Sequence, residues 1–385
     1  MTVIQIQLVI FLISITLVRG DELRFLVVGD WGGLPFWPYT TPYETAVSKG
    51  MGKIAQQLGS QFTVALGDNF YLSGVKDVDD KRFQETFEDV FTAKSLMTPW
   101  YLCAGNHDHY GNVSAQIAYS SRSKRWNFPN FYYTKSWKIP GSDKELQLVL
   151  VDTILLCGNT GHDNSLEQPE GPESIEVAEA QWDWLESTLR SSTAHYLVVG
   201  GHFPVWSIAE HGPTTCLVDR LRPMLQKYHV TAYINGHDHN LQHLKELNSP
   251  VEYFVIGAGA KINNDTSNKD KVPKGSSLFF WADYSKSGGF AVVRVAVDNM
   301  THLKEPNSPV EYFVIGAGDI VDNNTSNKDK VPKGSSLFFW ADYFKMGGFA
   351  VVRVAVDNMT VELVDSYGSI LYNRQLYPRQ SVTLQ

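Results

Sequence analysis

Seven residues able to ligate metal ions fall in five short clusters along this chain. Asp30 lies in Gly29-Asp30-Trp31-Gly32, and Asp68 and Tyr71 in Gly67-Asp68-Asn69-Phe70-Tyr71. Asn106 lies in Gly105-Asn106-His107-Asp108 and His202 in Val199-Gly200-Gly201-His202, while His237 and His239 share Gly236-His237-Asp238-His239. Hard trivalent iron favours anionic oxygen, which Asp30, Asp68 and the Tyr71 phenolate would supply, with an imidazole beside them. A softer divalent ion accepts Asn106, His202 and His237, with Asp68 bridging both ions. Taken singly, each piece is ordinary. A Gly-Asp after a strand is commonly a turn, a strand-end histidine is commonly structural, and Asn-His-Asp suits an Asx turn. Five such pieces, each behind a run of aliphatic or β-branched residues, point instead to a two-metal hydrolytic site.

The formal charge of the chain is −8. That argues against a nucleic-acid partner, which wants a basic face. An anionic substrate therefore needs a local answer. Fe(III) with a divalent ion, set against Asp30, Asp68, Tyr71 and a bridging hydroxide, leaves a net of about +1, enough to receive a phosphate ester.

Strand-like runs precede the clusters, at Leu23–Gly29, Phe62–Leu66, Trp100–Ala104, Tyr196–Gly200 and Thr231–Asn235, with a further one at Leu146–Val151. Helical patterns intervene at Glu44–Leu58, Arg82–Phe91, Val177–Leu189 and Val218–Tyr228. Buried-type strands alternating with helices predict an α/β fold. Ligand sites in such folds form just past the carboxyl ends of strands, where all five clusters stand. Gly158–Glu176, rich in Gly, Asn, Pro and acidic residues, reads as a long exposed loop on the same rim, a mobile flap.

Residues 1–20 read as a signal peptide, with an apolar Ile4–Val18 stretch too short for a membrane span. No later segment is apolar enough to span, so no stable membrane anchor is expected. The three cysteines read either as a Cys157–Cys216 bridge beside a buried Cys103 thiol or as three free thiols. Such a bridge would contribute ~4 kcal/mol in the chain-entropy model. Glycosylation sequons occur at Asn112, Asn264, Asn299, Asn323, Asn324 and Asn358.

The C-terminal third carries a repeat: 244–302 and 303–361 align without gaps at a period of 59 residues and differ at nine positions. Solenoid repeats diverge and come in larger numbers, so this resembles a recent tandem duplication or two alternative exons joined. Both copies cannot occupy one place in a sheet. The expected organisation is a leader, 1–20, and one catalytic domain, 21–385, containing the repeat.

Together the motifs Asp30-x-Gly, Gly67-Asp68-x-x-Tyr71, Gly105-Asn106-His107-Asp108, Val199-x-x-His202 and Gly236-His237-x-His239 resemble the signature set of the purple acid phosphatases, in their small animal form, within the metallophosphoesterase superfamily. Most other members carry Asp-x-His in the first cluster; here Gly32 stands there and Tyr71 substitutes. The resemblance implies a four-layer α/β/β/α sandwich, here with a duplicated C-terminal β segment. It implies Fe(III) held by Asp30, Tyr71, His239 and Asp68, and Fe(II), or Zn or Mn, held by Asn106, His202, His237 and Asp68. His107 and His211 correspond to histidines that contact the phosphate and the leaving group, and Cys157 with Cys216 to the family disulfide. The loop at 158–176 matches a flap whose proteolysis raises activity in relatives. Here it carries Asp163, Glu167, Glu170, Glu173 and Glu176. The implied activity is a secreted or lysosomal acid phosphatase, expected to act as a monomer, attacking phosphomonoesters (phosphoproteins, nucleotides, small esters) with hydroxide generated at the metals. A phosphodiesterase of the same superfamily and a non-catalytic iron-carrying glycoprotein are the alternatives, and the intact His107 and His211 favour an enzyme.

Overall fold

A computed structural model describes residues 22–161, 168–296 and 358–379. The expected leader, the flap residues Asp163 and Glu167, the sequons at Asn299, Asn323 and Asn324, and most of the second repeat copy lie outside the described residues.

The first sheet is built from strands β1 (Glu22–Val28), β2 (Phe62–Leu66), β3 (Trp100–Cys103) and β4 (Trp126–Asn127). The second takes β5 (Tyr133–Lys138), β6 (Glu145–Leu150), β7 (Tyr196–Gly200) and β8 (Ala232–Asn235). It is extended by β9 (Leu241–Lys245), β10 (Glu252–Ile256) and β11 (Ser277–Trp281). The chain then returns to the first sheet through β12 (Gly289–Ala296), β13 (Asn358–Asp365) and β14 (Ile370–Leu376). The strand orders are β14-β13-β12-β1-β2-β3-β4 and β11-β9-β10-β8-β7-β6-β5. Neighbours β1 to β4 are parallel, as are β6, β7, β8 and β10, and the flanking strands are antiparallel.

The apolar strand runs are explained by two buried faces. In β1, Phe25 and Val27 enter the core between the sheets, alongside Leu148, Val198 and Ile234 of the second sheet. Leu26 and Val28 point the other way, onto an outer layer with Val47 and Met51 of helix α1 (Pro42–Leu58). The short helices α2 (Asn106–His109) and α3 (Val113–Tyr119) follow β3, and α4 (Thr153–Cys157) follows β6. The outer face of the second sheet is covered by α4, α5 (Ile175–Ser191) and α6 (Arg222–Lys227). A parallel sheet covered on both faces reads as a continuous apolar run, and the result is the four-layer α/β/β/α sandwich.

Helix α1 starts where the sequence says it can. Thr41 accepts from the Glu44 N–H at 3.0 Å, the Glu44 carboxylate accepts from the Thr41 N–H at 3.2 Å, and Gly59 ends the helix at φ 68°. Two helical expectations are corrected in detail. The Arg82–Phe91 pattern is wound as a π-helix at Phe83–Glu88. Val218–Tyr228 begins as a π-turn at Leu217–Leu221 and becomes α only at Arg222, where Pro223 sits in the first turn and withholds an N–H.

Of the remaining sequons, Asn112 and Asn264 are exposed. Asn358 is not: it is 7% accessible and opens β13 opposite Ala296, so the expectation of a glycan there fails on burial.

Candidate metal centre

All five clusters stand at carboxyl ends of parallel strands, after β1, β2, β3, β7 and β8. Asp30, Asp68 and Asn106 come from the first sheet, and His202 and His237 from the second. Three of these residues, Asp30, Asp68 and His237, have positive φ of 58°, 49° and 72°. That left-handed backbone is disfavoured for residues with a Cβ and is retained where the surroundings over-determine it, commonly at functional sites. Glycine is required beside two of them. A Cβ on Gly236 would lie 2.3 Å from Asp30 Oδ2, and one on Gly105 would lie 2.2 Å from Asp68 Oδ1.

The side chains converge. The His237 N–H donates to Asp30 Oδ2 at 2.8 Å, and the Tyr71 hydroxyl donates to Asp30 Oδ1 at 3.1 Å. The His107 N–H donates to Asp68 Oδ1 at 3.0 Å. His202 donates from Nδ1 to the Leu66 carbonyl at 2.9 Å, which leaves Nε2 with its lone pair. That nitrogen faces Asn106 Oδ1 at 2.9 Å, His237 Nδ1 at 3.2 Å and Asp68 Oδ1 at 3.4 Å. Lone pairs gathered this closely repel one another unless a cation sits among them, so the donor set fits a metal ion. Asp30, Asp68 and His202 each offer an atom within 4.8 Å of the others. His239 joins by its ring, 5.9 Å from that of Tyr71, and its Nδ1 is buried without a hydrogen-bond partner.

Burial sets the electrostatics. It raises Asp30 well above the carboxylate range, with the Asp68 charge as the next cause, and pushes the Tyr71 phenol well up, helped by Asp30 and Asp68. Burial also pushes His202 down, and His237 and His239 well down. After burial, the neighbouring His211 weighs most on His237, and Lys261 on His239. Bound cations would favour the ionised acids, and they require the free imidazole lone pairs that burial protects.

The two non-ligand histidines flank this cluster. His107 Nδ1 lies 2.6 Å from the Leu72 carbonyl, an arrangement that places the proton on Nδ1 and turns Nε2 toward Asp68, 4.0 Å away. The His211 ring is 4.2 Å from that of His237 and 6.3 Å from that of His239. Its backbone N–H donates to Asp238 Oδ1 at 3.0 Å. Asn112 stands apart from the site, exposed, capping α3 through the Ala115 N–H at 3.0 Å.

Three buried acids matter that the motif reading left without a role. Asp108 accepts from the N–H groups of Gly105, Asn69 and Phe70 at 2.8, 3.0 and 3.2 Å and from Gln116 Nε2 at 2.8 Å, locking the Asp68 loop to the Asn106 loop. Burial, and next the Asp68 charge, raise it to about 6. Asp152 caps α4 and meets His109 Nε2 at 2.7 Å, and Asp238 holds the His211 loop. Their only signal in the sequence is an acid beside a ligand or at a strand end.

The flap is pinned at its base. Cys157 and Cys216 form a disulfide with a Cα separation of 5.8 Å, and Cys103 is a buried free thiol. The Gly171 N–H donates to the Cys157 carbonyl at 3.0 Å, and Gln168 bonds both the Pro213 carbonyl and the Thr215 N–H. The loop ends two residues earlier than expected, because Ser174 caps α5.

Comparison with known proteins bears on this geometry. The calcineurin-like phosphoesterase family matches residues 23–241. The chain is 51% identical to rabbit (Oryctolagus cuniculus) tartrate-resistant acid phosphatase type 5 over 72% of this chain and 86% of that protein. It is 50% identical to the Homo sapiens protein of the same name, with the same two coverages. Arabidopsis thaliana purple acid phosphatase 4 is 34% identical over 62% of this chain and 69% of its own length. Among solved structures, yellow lupin purple acid phosphatase PPD1 superposes with a TM-score of 0.53 at 16% identity, covering 93% of this chain and 54% of that one. Plasmodium GAP50 gives a TM-score of 0.67 at 20% identity, covering 94% and 91%.

Proposed function

The chain belongs to the calcineurin-like phosphoesterases and is an acid phosphatase of the purple acid phosphatase family, and from that premise we propose that it hydrolyses phosphate monoesters at a dinuclear Fe(III)–M(II) centre. The observation that carries this reading is the convergence of His202 Nε2, left with a lone pair because Nδ1 donates to Leu66, on Asn106 Oδ1, His237 Nδ1 and Asp68 Oδ1 at 2.9, 3.2 and 3.4 Å. Asp30, Tyr71 and His239 would hold the trivalent iron; Asn106, His202 and His237 would hold Fe(II), Zn or Mn; Asp68 would bridge. Bound there, the two cations supply Lewis acidity toward the phosphoryl oxygens and acidify water.

The chain's own residues do the rest. His107, its Nδ1 engaged by Leu72, presents Nε2 to the phosphoryl oxygens. His211, fixed through its backbone by Asp238, protonates the leaving oxygen. Asp108 holds two ligand loops in register. The leader at 1–20 directs the chain into the secretory pathway, to a lysosomal or extracellular site. The flap at 158–176 is the segment a protease would cut, and Asn112 is the preferred glycan acceptor. One catalytic domain spans 21–385 and contains the tandem repeat 244–302 / 303–361, and the chain acts as a monomer.

Metal analysis, a visible spectrum and a phosphomonoester assay at acid pH test this together. Two metals per chain, a violet band and monoester turnover are expected. Tyr71→Phe should bleach the band with the fold intact. Colour that survives the substitution removes the tyrosinate assignment, and bis-ester turnover exceeding mono-ester turnover would make the enzyme a phosphodiesterase.

A further inference from the structure

The segment from Gly257 to Lys271 runs along the metal rim and is fastened to it on both sides of Lys261. Two residues before, the Gly259 N–H donates to the Gly29 carbonyl at 3.2 Å, at the entrance to the Asp30 turn. Two residues after, the Asn263 N–H donates to the His239 carbonyl at 2.7 Å. Between them the Ala260 carbonyl accepts from Thr41 Oγ1 at 3.0 Å, and Ile262 is buried. Lys261 itself is exposed. Its Cα lies within about 7 Å of chain from an atom bonded to the His239 backbone, comparable to the reach of its own side chain.

The charge around it is uneven. No carboxylate among the described residues forms an ion pair with Lys261. The nearby acids are engaged elsewhere: Glu210 takes a hydrogen bond from Asn263 Nδ2, and Asp265 takes two from Ser267. Farther along, Lys271 lines a cavity of about 200 Å³ shared with His211, Glu210 and Gln168. The rim thus offers lysines at two points, Lys261 on the segment bonded to His239 and Lys271 beside His211.

We propose that Lys261 is a specificity-determining residue, holding a second anionic group on the leaving side of the phosphoryl group so that diphosphate-type substrates are favoured over aryl monoesters. This rests on the phosphatase reading above. In the reaction the bridging P–O bond breaks, water supplies oxygen to the scissile phosphorus, and its proton leaves with the second phosphate. The repeat sharpens the point. The first copy, which builds β10 to β12, carries Lys261 and Asp265 over 260–265. The second carries Ile320 in place of the lysine, with Asp319 and Asp322 and no compensating cation. The copy that completes the sheet therefore decides the charge of the rim.

Lys261→Ile, the residue of the second copy, and Lys261→Arg are compared with the parent chain. The readouts are kcat/KM for inorganic pyrophosphate and for phenyl phosphate, and calorimetric affinity for methylene diphosphonate and for orthophosphate. Metal content is checked in each sample. The pyrophosphate-to-phenyl-phosphate ratio should fall about five-fold in Lys261→Ile and stay within about two-fold of the parent in Lys261→Arg. The diphosphonate-to-orthophosphate affinity ratio should fall in parallel, and added salt should erode the difference. Equal losses on both members of each pair, or none, overturn the proposal. A parent chain that fails to turn over phenyl phosphate sinks the phosphatase reading instead, and the affinity ratios then judge Lys261 alone.

Discussion

At the scale of single residues, the site separates groups that would hold metal from groups that would move protons. His211 is the cleaner test, because its ring packs on His237 without being one of the seven candidate ligands. His211→Ala should slow alkyl phosphates, whose leaving groups need a proton, by about 10²-fold or more, and aryl phosphates with activated leaving groups far less. Equal losses across a leaving-group series would take the proton-donor role from it. The seven candidate ligands were legible in the sequence because each is a distinctive residue type behind a recognisable strand. Asp108 was not. Its function is to gather N–H groups from residues 38 and 39 positions earlier as well as from Gly105, and such a convergence exists only after β2 and β3 have paired.

At the scale of elements, the two sheets are pinned together away from the chemistry by a buried ionic cluster. Glu252 of β10 takes hydrogen bonds from His243 and Lys245 of β9 and from Arg374 of β14, while the Tyr372 hydroxyl meets His243 Nδ1 at 2.9 Å. Burial alone would raise the Glu252 carboxyl, but the bonds from His243, Lys245 and Arg374 together bring it from an ordinary 4.5 to about 2. Because the folded value is the lower one, the cluster's contribution is complete above about 4.5 and is lost as pH falls toward about 2. It therefore survives mildly acid conditions. Glu252→Gln should cost about 3 kcal/mol in urea unfolding at pH 6, with the deficit shrinking below pH 4. A deficit that does not change with pH would mean the loss is one of packing alone. Of this cluster's strands only β10 has a recognisable apolar pattern, and nothing local gives its partners, since Glu252 and Arg374 are 122 residues apart. The same limit explains the π-turns, where helical periodicity is present and hydrogen-bond spacing is not visible.

At the scale of the whole molecule, the repeat that was most conspicuous in the sequence is the feature whose place in the fold it left undecided. The structure builds β10 to β12 from the first copy and places β13 from Asn358, near the end of the second. Ala296 pairs with Asn358, and also with Glu22 at the start of β1, whereas Asp30 follows the other end of that strand. Seven strand residues, roughly 20 Å, separate the two ends. Deleting 298–356, one repeat period, would leave Val297 and Asp357 as a two-residue connection, the length hairpins favour. The shortened chain should fold, bind the same metals and retain phosphatase activity within about two-fold, with a melting temperature shifted by no more than about 4 °C. Loss of soluble protein or of metal would show that the second copy is needed by the domain.

The β12–β13 junction also has a practical meaning. Its open end faces away from the chemistry, so a peptide tag, a surface anchor or a small partner domain inserted between 296 and 358 would hang from the rear of the enzyme with the catalytic mouth turned outward. That makes this junction the natural socket for immobilising the protein without blocking access to substrate.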